Sequence, residues 1–301
     1  MESRVNNVKR VLTVLIMGVI AYGGLTMMPL ALMVIPGLLI MQWMAGEKSL
    51  AVASVVSMGV AAGFWNLLHL AIIFGPLTIW LIYTVSTKKS GLMIYLGGVF
   101  FSIFGVVAWL SWVSGGIGSV DLKGSFDAVL KLQQENMEAA GLNVVDVERT
   151  MEVLRAGASL LHLYLPSTLI IYGLSLPYIS LVIAGRALLK RGIVIFQPAS
   201  FFLFKLPPNI VPGTVVTFIG FLLLKSFMGD LGSVVLVNLI AIFSFLFLIQ
   251  GLSVVDFWIT SKGGKRMVKV LAVTFCIIMP LLNITVIIIG FIDSAFNLRK
   301  I

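Results

Sequence analysis

The chain has 301 residues, of which 59% are apolar and only 11% are charged, and its formal net charge is +9. An ordinary soluble domain carries about 25% charged residues, and folding alone cannot hide this much apolar surface from water. The composition therefore excludes a soluble globular protein and predicts an all-α, polytopic transmembrane bundle in contact with the lipid bilayer. The positive charge does not indicate nucleic-acid binding, because the basic residues stand in short clusters between apolar runs, as in cytoplasmic loops.

The first third of the chain predicts five membrane spans, since about 20 apolar residues cross ~30 Å of hydrocarbon. Residues 11–45 form an apolar run that Pro29 interrupts, which predicts two short spans joined by a tight turn. Residues 50–85 form a second long run with a break around residues 63–66, which predicts spans three and four. Span five is expected at residues 92–113.

A polar segment at residues 120–156 separates these spans from the next. Residues 121–155 hold seven acidic and four basic side chains. Apolar residues recur at helical spacing on both sides of Gly141, which is typical of a helix stop. This pattern predicts an amphipathic helical hairpin on the outer membrane surface, followed by span six at residues 160–189.

The last third predicts three further spans. Residues 196–208 are rich in aromatic residues and proline, too broken to cross the membrane, and we expect them to lie in the interface. Spans seven, eight and nine are expected at residues 210–224, 231–250 and 270–292.

The distribution of lysine and arginine predicts a cytoplasmic N-terminus. In that orientation the basic loops fall inside and the acidic hairpin falls outside. Nine spans would place Arg299 and Lys300 outside, against this rule, so eight spans are the alternative. We expect a multi-pass protein of the bacterial plasma (inner) membrane, with a six-span bundle at residues 1–192 and an interfacial segment plus three spans at residues 193–301.

The sequence holds no motif that points to catalysis or to metal binding. It lacks the patterns of phosphate-binding loops, zinc proteases and serine hydrolases. Two histidines and the single Cys276 are too few for a metal cluster, and the interiors of the predicted spans carry no acidic residue. We therefore expect a non-enzymatic protein with no catalytic residue, no metal and no cofactor.

Polar and aromatic side chains gather at the predicted outer ends of spans four and six: Trp65, Asn66, His69, His162 and Tyr164. Such groups could line an outward-facing ligand pocket. The alternative is an interfacial aromatic belt, where tryptophan and tyrosine are enriched in any case.

Other side chains predict helix packing inside the membrane. Asn238 and Asn283 lie in predicted spans, where we expect hydrogen bonds across a helix interface. Stripes of small residues that include Gly18, Ser57 and Ala61 let helices approach closely. They could serve packing within the chain or receive the helix of a partner protein.

Several short elements stand out in the last two thirds of the chain. They are Leu-Pro-Ser in span six, Phe-Lys-Leu-Pro ending at Pro207, Gln-Gly-Leu-Ser-Val-Val beginning at Gln250 and Gly251, Gly-Phe-Ile-Asp from Gly290 to Asp293, and the tail with Arg299. Together these elements resemble the YybS-type family of uncharacterised bacterial polytopic membrane proteins, a domain of unknown function. The resemblance implies family-motif positions but no activity. Asp256 stands where it leads us to expect a different residue, so we assign that position no catalytic role.

The N-terminal half resembles, more weakly, the fold shared by substrate-binding subunits of energy-coupling-factor transporters and the rod-shape protein MreD. The matching features are the small residues at 18–24, Pro29 and Pro36. This resemblance implies a transporter-subunit-like protein that binds a small molecule or a membrane-protein partner. The alternative function is a scaffold for envelope or cell-division assemblies.

Overall fold

The structure is a computed structural model that describes residues 2–113, 130–131, 134–135, 137, 143–198, 200–229 and 231–300. Within these residues the chain forms the helices α1 (Glu2–Thr26), α2 (Ile35–Met44), α3 (Lys48–Ala62), α4 (Phe64–Ser86), α5 (Gly91–Val113), α6 (Val144–Leu189), α7 (Ile210–Met228), α8 (Leu231–Ser261), α9 (Arg266–Ile278) and α10 (Pro280–Phe296). Short 3-10 helices at Pro29–Val34 and Phe201–Leu203 complete the secondary structure. The described residues include no strand, so the all-α prediction is confirmed for them.

Four helical segments are long and apolar enough to cross a membrane: Phe64–Ser86, Gly91–Val113, Leu163–Leu189 and Leu231–Ser261. A fifth crossing is present if the bent pair α9 and α10 counts as one span. The remaining predicted spans correspond to four shorter apolar helices within α1, Pro29–Met44, α3 and α7. The count of nine therefore depends on these shorter helices crossing as well, and it stays a prediction.

Helix α6 differs from the predicted pair of helices in this region. The structure has one continuous helix of 46 residues from Val144 to Leu189, where the sequence predicts a hairpin helix and a separate span. Only Gly157 interrupts the good helix formers between them, and a single glycine costs a helix about 1 kcal/mol, which is too little to end it. The first helix of the predicted hairpin and its stop at Gly141 fall largely outside the described residues.

The predicted span at residues 270–292 is also different, because it is not one straight helix. Helices α9 and α10 meet at a bend of 103°. Met279 at the bend has an extended backbone, with φ −85° and ψ 115°. The ring of Pro280 disfavours a helical backbone at the residue before it, which explains why α9 ends there.

The described chain divides into two compact units. The first comprises Met1–Val147 and Tyr172–Pro198, and the second comprises Glu148–Ile171 and Ala199–Ile301. The division predicted between residues 192 and 193 stays a prediction of the sequence.

The core of the first unit is built from apolar side chains of all six helices from α1 to α6. Leu77 and Leu81 of α4 and Leu176 and Leu181 of α6 are fully buried in it. Because lipid tails are as apolar as leucine, such side chains stabilise a membrane protein by close packing more than by leaving water.

The small-residue stripes of α1 and α3 pack against each other. A side chain in place of Gly18 would meet Ser57 Oγ at 2.7 Å and Ala61 Cβ at 3.3 Å. The stripes therefore serve packing within the chain, which is one of the two roles that the sequence left open.

Three loops lie at one end of the first unit. Arg191 after α6 forms an ion pair with Glu47 before α3, at 2.9 Å. At Gly91, after α4, a side chain would collide with the ring of Phe196. The predicted orientation requires the loops after spans two, four and six to share one side of the membrane, and this placement is compatible with it.

Candidate functional site

The family-motif residues converge where α8 and α10 cross in the second unit. The two helices run antiparallel and touch through backbone atoms. A side chain at Gly251 would collide with the carbonyl oxygen of Val286, and one at Gly290 would collide with that of Phe247. Only glycine has no side chain to obstruct this contact, so the backbones of α8 and α10 approach closely at both positions.

Gln250 and Asp293 meet directly beside this crossing. Gln250 Nε2 donates a hydrogen bond of 2.5 Å to Asp293 Oδ2, and both side chains are fully buried. The other end of the amide is also engaged, because Leu206 N donates to Gln250 Oε1 at 2.9 Å. Gln250 thus links α8 to α10 and to the segment that follows the second 3-10 helix.

The C-terminal tail folds back over the end of α10 and places Arg299 on Asp293. The fold-back occurs at Asn297, which adopts the left-handed conformation that commonly ends a helix. Arg299 Nη2 and Nε donate to Asp293 Oδ2 at 2.9 and 3.2 Å, and the Arg299 backbone N–H donates to Oδ1 at 3.3 Å. Both side chains of this ion pair are fully buried.

The remaining donors of Arg299 reach the segment at residues 201–204. Its Nη1 donates to the carbonyl of Phe202 at 2.9 Å and to Ser253 Oγ at 2.8 Å, and Nη2 donates to the carbonyl of Phe204 at 2.8 Å. Ser253 Oγ in turn donates to the carbonyl of Phe201 at 2.7 Å. We call Gln250, Ser253, Asp293 and Arg299 the polar cluster.

The polar cluster can hold four pieces of chain together, namely α8, α10, the tail and the 3-10 segment. Its carboxylate is balanced by one guanidinium, and its polar atoms are hydrogen-bonded to one another and to backbone groups. A buried ion pair with saturated hydrogen bonds is stable, whereas removal of one partner leaves a costly buried charge. The arrangement indicates a structural clamp.

Two other family-motif residues lie outside this cluster. Pro207 accepts a hydrogen bond from Ile210 N at the start of α7. Asp256 pairs with Lys269 of α9 at 3.5 Å, and Lys269 also donates to Thr260 Oγ1 at 2.6 Å. Asp256 therefore joins α8 to α9.

Asn238 forms the predicted hydrogen bond across a helix interface. Its side chain also takes the place of a backbone hydrogen bond that is missing from α6. Pro166 disturbs that helix, and Asn238 Oδ1 accepts from Ser167 N at 2.7 Å while Nδ2 donates to the carbonyl of Leu163 at 2.8 Å. These two backbone groups are partners in a regular helix. The Asn238 side chain is thus inserted into the hydrogen-bond ladder of α6.

The predicted ligand residues of α4 share one helix face in the first unit, because Trp65 and Asn66 precede His69 by four and three residues. Trp65 is 68% exposed, and Asn66 Nδ2 donates to the carbonyl of Ala62 at 2.7 Å. The imidazole of His69 meets the indole of Trp109 edge-on, with 6.3 Å between ring centres. Trp109 lies on α5 and was not predicted as a site residue from the sequence.

Trp109 carries a buried polar atom without a protein partner. Its indole Nε1 finds no hydrogen-bond acceptor among the described residues. Gln42 Oε1 and Tyr172 Oη of the same unit are likewise buried and without a partner in the described part of the chain. Such atoms are rare in native proteins, and each calls for a physical explanation such as an ordered water, an ion or local strain.

The other predicted ligand residues do not add to this group. The side chain of His162 lies outside the described residues. Tyr164 belongs to the second unit and is 39% exposed, and its backbone carbonyl accepts from the hydroxyls of Ser167 and Thr168. Among the residues that the structure describes, no group of three or more His, Cys, Asp or Glu is arranged to hold a metal ion.

Comparison with known protein families gives a match over most of the chain. A family model described as "Predicted membrane protein (DUF2232)" matches residues 11–294. No curated protein and no solved structure matches the chain.

Proposed function

The chain belongs to the DUF2232 family of predicted membrane proteins, and on this premise we propose that it is a non-enzymatic membrane protein whose first unit binds a small molecule. Membrane embedding follows from the family and from the long apolar helices. The site proposed for the ligand is the region around His69 and Trp109.

The observation that carries this proposal is the buried indole N–H of Trp109 beside His69. A buried donor without an acceptor costs a protein about 1–3 kcal/mol. A ligand that offers an acceptor atom would recover this free energy. The imidazole of His69 supplies a second polar group next to the indole, and the exposed ring of Trp65 stands one helical turn before it on the same face of α4.

The packing of α1 on α3 favours a small molecule over a partner helix. The stripe around Gly18 is covered by Ser57 and Ala61 of the same chain. A partner helix would therefore need a different surface, while the Trp109 donor calls for an acceptor within the unit. We therefore propose small-molecule binding, and a scaffold for envelope or cell-division assemblies is the alternative function.

The absence of enzymatic activity is part of the same proposal. Asp293 is occupied by Arg299 and Gln250, and Asp256 by Lys269. Thr260 Oγ1 also donates to Asp256 Oδ1 at 3.4 Å. The engagement of both carboxylates in ion pairs supports a structural role for them rather than a catalytic one.

Further features that the sequence predicts belong to the same proposal. We propose a location in the bacterial plasma membrane with a cytoplasmic N-terminus, eight or nine crossings, and the polar segment at residues 120–156 on the outer side. The weaker similarity of the N-terminal half to the fold shared by energy-coupling-factor subunits and MreD supports a transporter-subunit-like protein, whereas the YybS-type resemblance implies no activity. Direct labelling of single cysteines from either side of the membrane would test the orientation.

Native mass spectrometry of the full chain, released from a mild detergent, tests the binding function. We expect a non-lipid mass to be retained by the natural protein. The variant Trp109→Phe keeps the ring but removes the N–H, so it should lose most of that mass. Trp43→Phe is the matched control, because Trp43 lies on α2 of the same unit with its ring against Lys48.

A protein that retains lipids but no other mass would contradict small-molecule binding and favour the scaffold alternative. Equal retention by Trp109→Phe and Trp43→Phe would show that a ligand binds elsewhere and would overturn the assigned site.

A further inference from the structure

Helix α9 stands nearly at right angles to the helix that follows it. The bend between α9 and α10 is 103°. Helix α10 packs antiparallel along α8, which is long and apolar enough to cross a membrane. If α8 and α10 cross together, a helix bent by 103° from α10 runs along the membrane plane.

One side of α9 is attached to the rest of the second unit. Lys269, Ala272, Val273 and Cys276 are half-buried and recur at the spacing of a single helix face. Lys269 is held by Asp256 at 3.5 Å and by Thr260 at 2.6 Å. This face fixes the rotation of α9 about its own axis.

The opposite side of α9 is apolar and exposed. Met267, Leu271, Phe275 and Ile278 lie on it, with exposed fractions of 73, 48, 51 and 71%. A row of large apolar side chains along the whole helix needs a non-aqueous environment.

The start of α9 is strongly basic. Lys262, Lys265, Arg266 and Lys269 fall within eight residues, and no acidic residue occurs between Asp256 and Asp293. Asp256 balances Lys269, whereas Lys262 and Lys265 are exposed. The helix thus combines an apolar side with a basic end, the combination that binds anionic membrane surfaces.

We propose that α9 is an interfacial helix that binds anionic phospholipid. Its exposed apolar side enters the acyl region next to the headgroups, and Lys262 and Lys265 bind headgroup phosphates. The bend at Met279 then marks the point where the chain turns from the membrane surface into the bilayer. This inference concerns the second unit and is independent of ligand binding by the first.

Depth measurements test the orientation of α9. Spin labels are placed singly in the full chain with M267C, L271C or F275C, each in a Cys276→Ser background, and the protein is reconstituted in nanodiscs. Residues 267 and 275 are about 12 Å apart along a helix. We expect equal depths at the three positions, whereas a helix that crosses the bilayer would give depths that differ by about 6 Å from each label to the next.

The control is the pair F100C and F104C on α5, a long candidate span whose two side chains are 63 and 51% exposed. Their depths should differ by about 6 Å if α5 crosses the bilayer. Depths that increase steadily from 267 to 275 would overturn the interfacial orientation.

Lipid preference is tested with a fluorophore at M267C. Brominated phosphatidylglycerol should quench it more strongly than brominated phosphatidylcholine at the same mole fraction. K262Q/K265Q should lower this local preference about 25-fold, because each lysine near an anionic surface contributes about a factor of five. K88Q/K89Q removes the same charge from the first unit and should leave the preference unchanged.

Equal quenching by the two lipids in the protein that keeps Lys262 and Lys265 would overturn the proposal of anionic lipid binding. An unchanged preference in K262Q/K265Q would overturn the assignment of the headgroup contacts to these two lysines.

Discussion

Arg299 and Asp293 form an ion pair in which both side chains are fully buried, although the two residues are only six positions apart. The pair exists because the chain reverses at Asn297 and returns along the end of α10. Gln250 donates to the same carboxylate oxygen, and the other guanidinium donors bind the carbonyls of Phe202 and Phe204. The last residues of the chain therefore hold together segments from three distant parts of the second unit.

Loss of the guanidinium should strongly destabilise the second unit. In Arg299→Gln the Asp293 carboxylate stays buried without its counter-charge, so the free energy of unfolding should fall by about 3–5 kcal/mol. Denaturant titration in mixed micelles measures this change. Lys300→Gln removes the neighbouring, exposed charge and should have little effect. Equal stability of the two variants would contradict the clamp.

The ion pair between Arg191 and Glu47 should contribute far less to the free energy of unfolding. Its side chains are 43 and 22% exposed, and an ion pair accessible to water contributes about 0–1 kcal/mol. Arg191→Gln should therefore change the unfolding free energy by less than about 1 kcal/mol, and added salt should reduce the effect further. A loss as large as that of Arg299→Gln would show that this loop contact is shielded from solvent.

The helix crossing should not tolerate a methyl group at Gly290. In Gly290→Ala the new Cβ meets the carbonyl oxygen of Phe247, so α8 and α10 must separate, at a cost of about 1–3 kcal/mol. The separation should also weaken the hydrogen bond between Gln250 and Asp293. Gly220→Ala on α7 is the control, since no atom lies within 4 Å of its added Cβ. There alanine should stabilise the helix by up to about 1 kcal/mol. The two variants thus have opposite predicted signs, and a stabilised Gly290→Ala would disprove the tight crossing.

Much of the helical layout follows from the sequence, because hydrophobic runs and their breaks are local properties. The break before α4 lies at Gly63, whose φ of +89° suits glycine, and it falls within the predicted range. The right-angle bend at Met279 was not predicted, since a proline inside an apolar run is often tolerated in a membrane helix. Whether it bends the chain depends on packing against α8, which is not local.

The polar cluster was predictable only in part. Gln250, Asp293 and Arg299 are singled out by the family resemblance, but their meeting depends on the antiparallel register of α8 and α10 and on the reversal at Asn297. Ser253 lies in the Gln-Gly-Leu-Ser-Val-Val element but was assigned no role, and Trp109 carried no signal of its own. An indole N–H becomes notable only when the structure shows it to be buried without an acceptor.

The insertion of Asn238 into α6 leads to a prediction about two substitutions together. Asn238→Ala alone leaves the buried groups Ser167 N and Leu163 O without their partners, which should cost about 1–3 kcal/mol. Replacement of Pro166 by alanine removes the steric cause of the disturbed ladder and lets these two backbone groups bond to each other. Asn238→Ala should then cost much less in the Pro166→Ala background. A double-mutant cycle on the unfolding free energy measures the coupling, which should exceed about 0.5 kcal/mol. Additive effects would mean that Asn238 acts independently of the proline and does not compensate for a missing backbone hydrogen bond of α6.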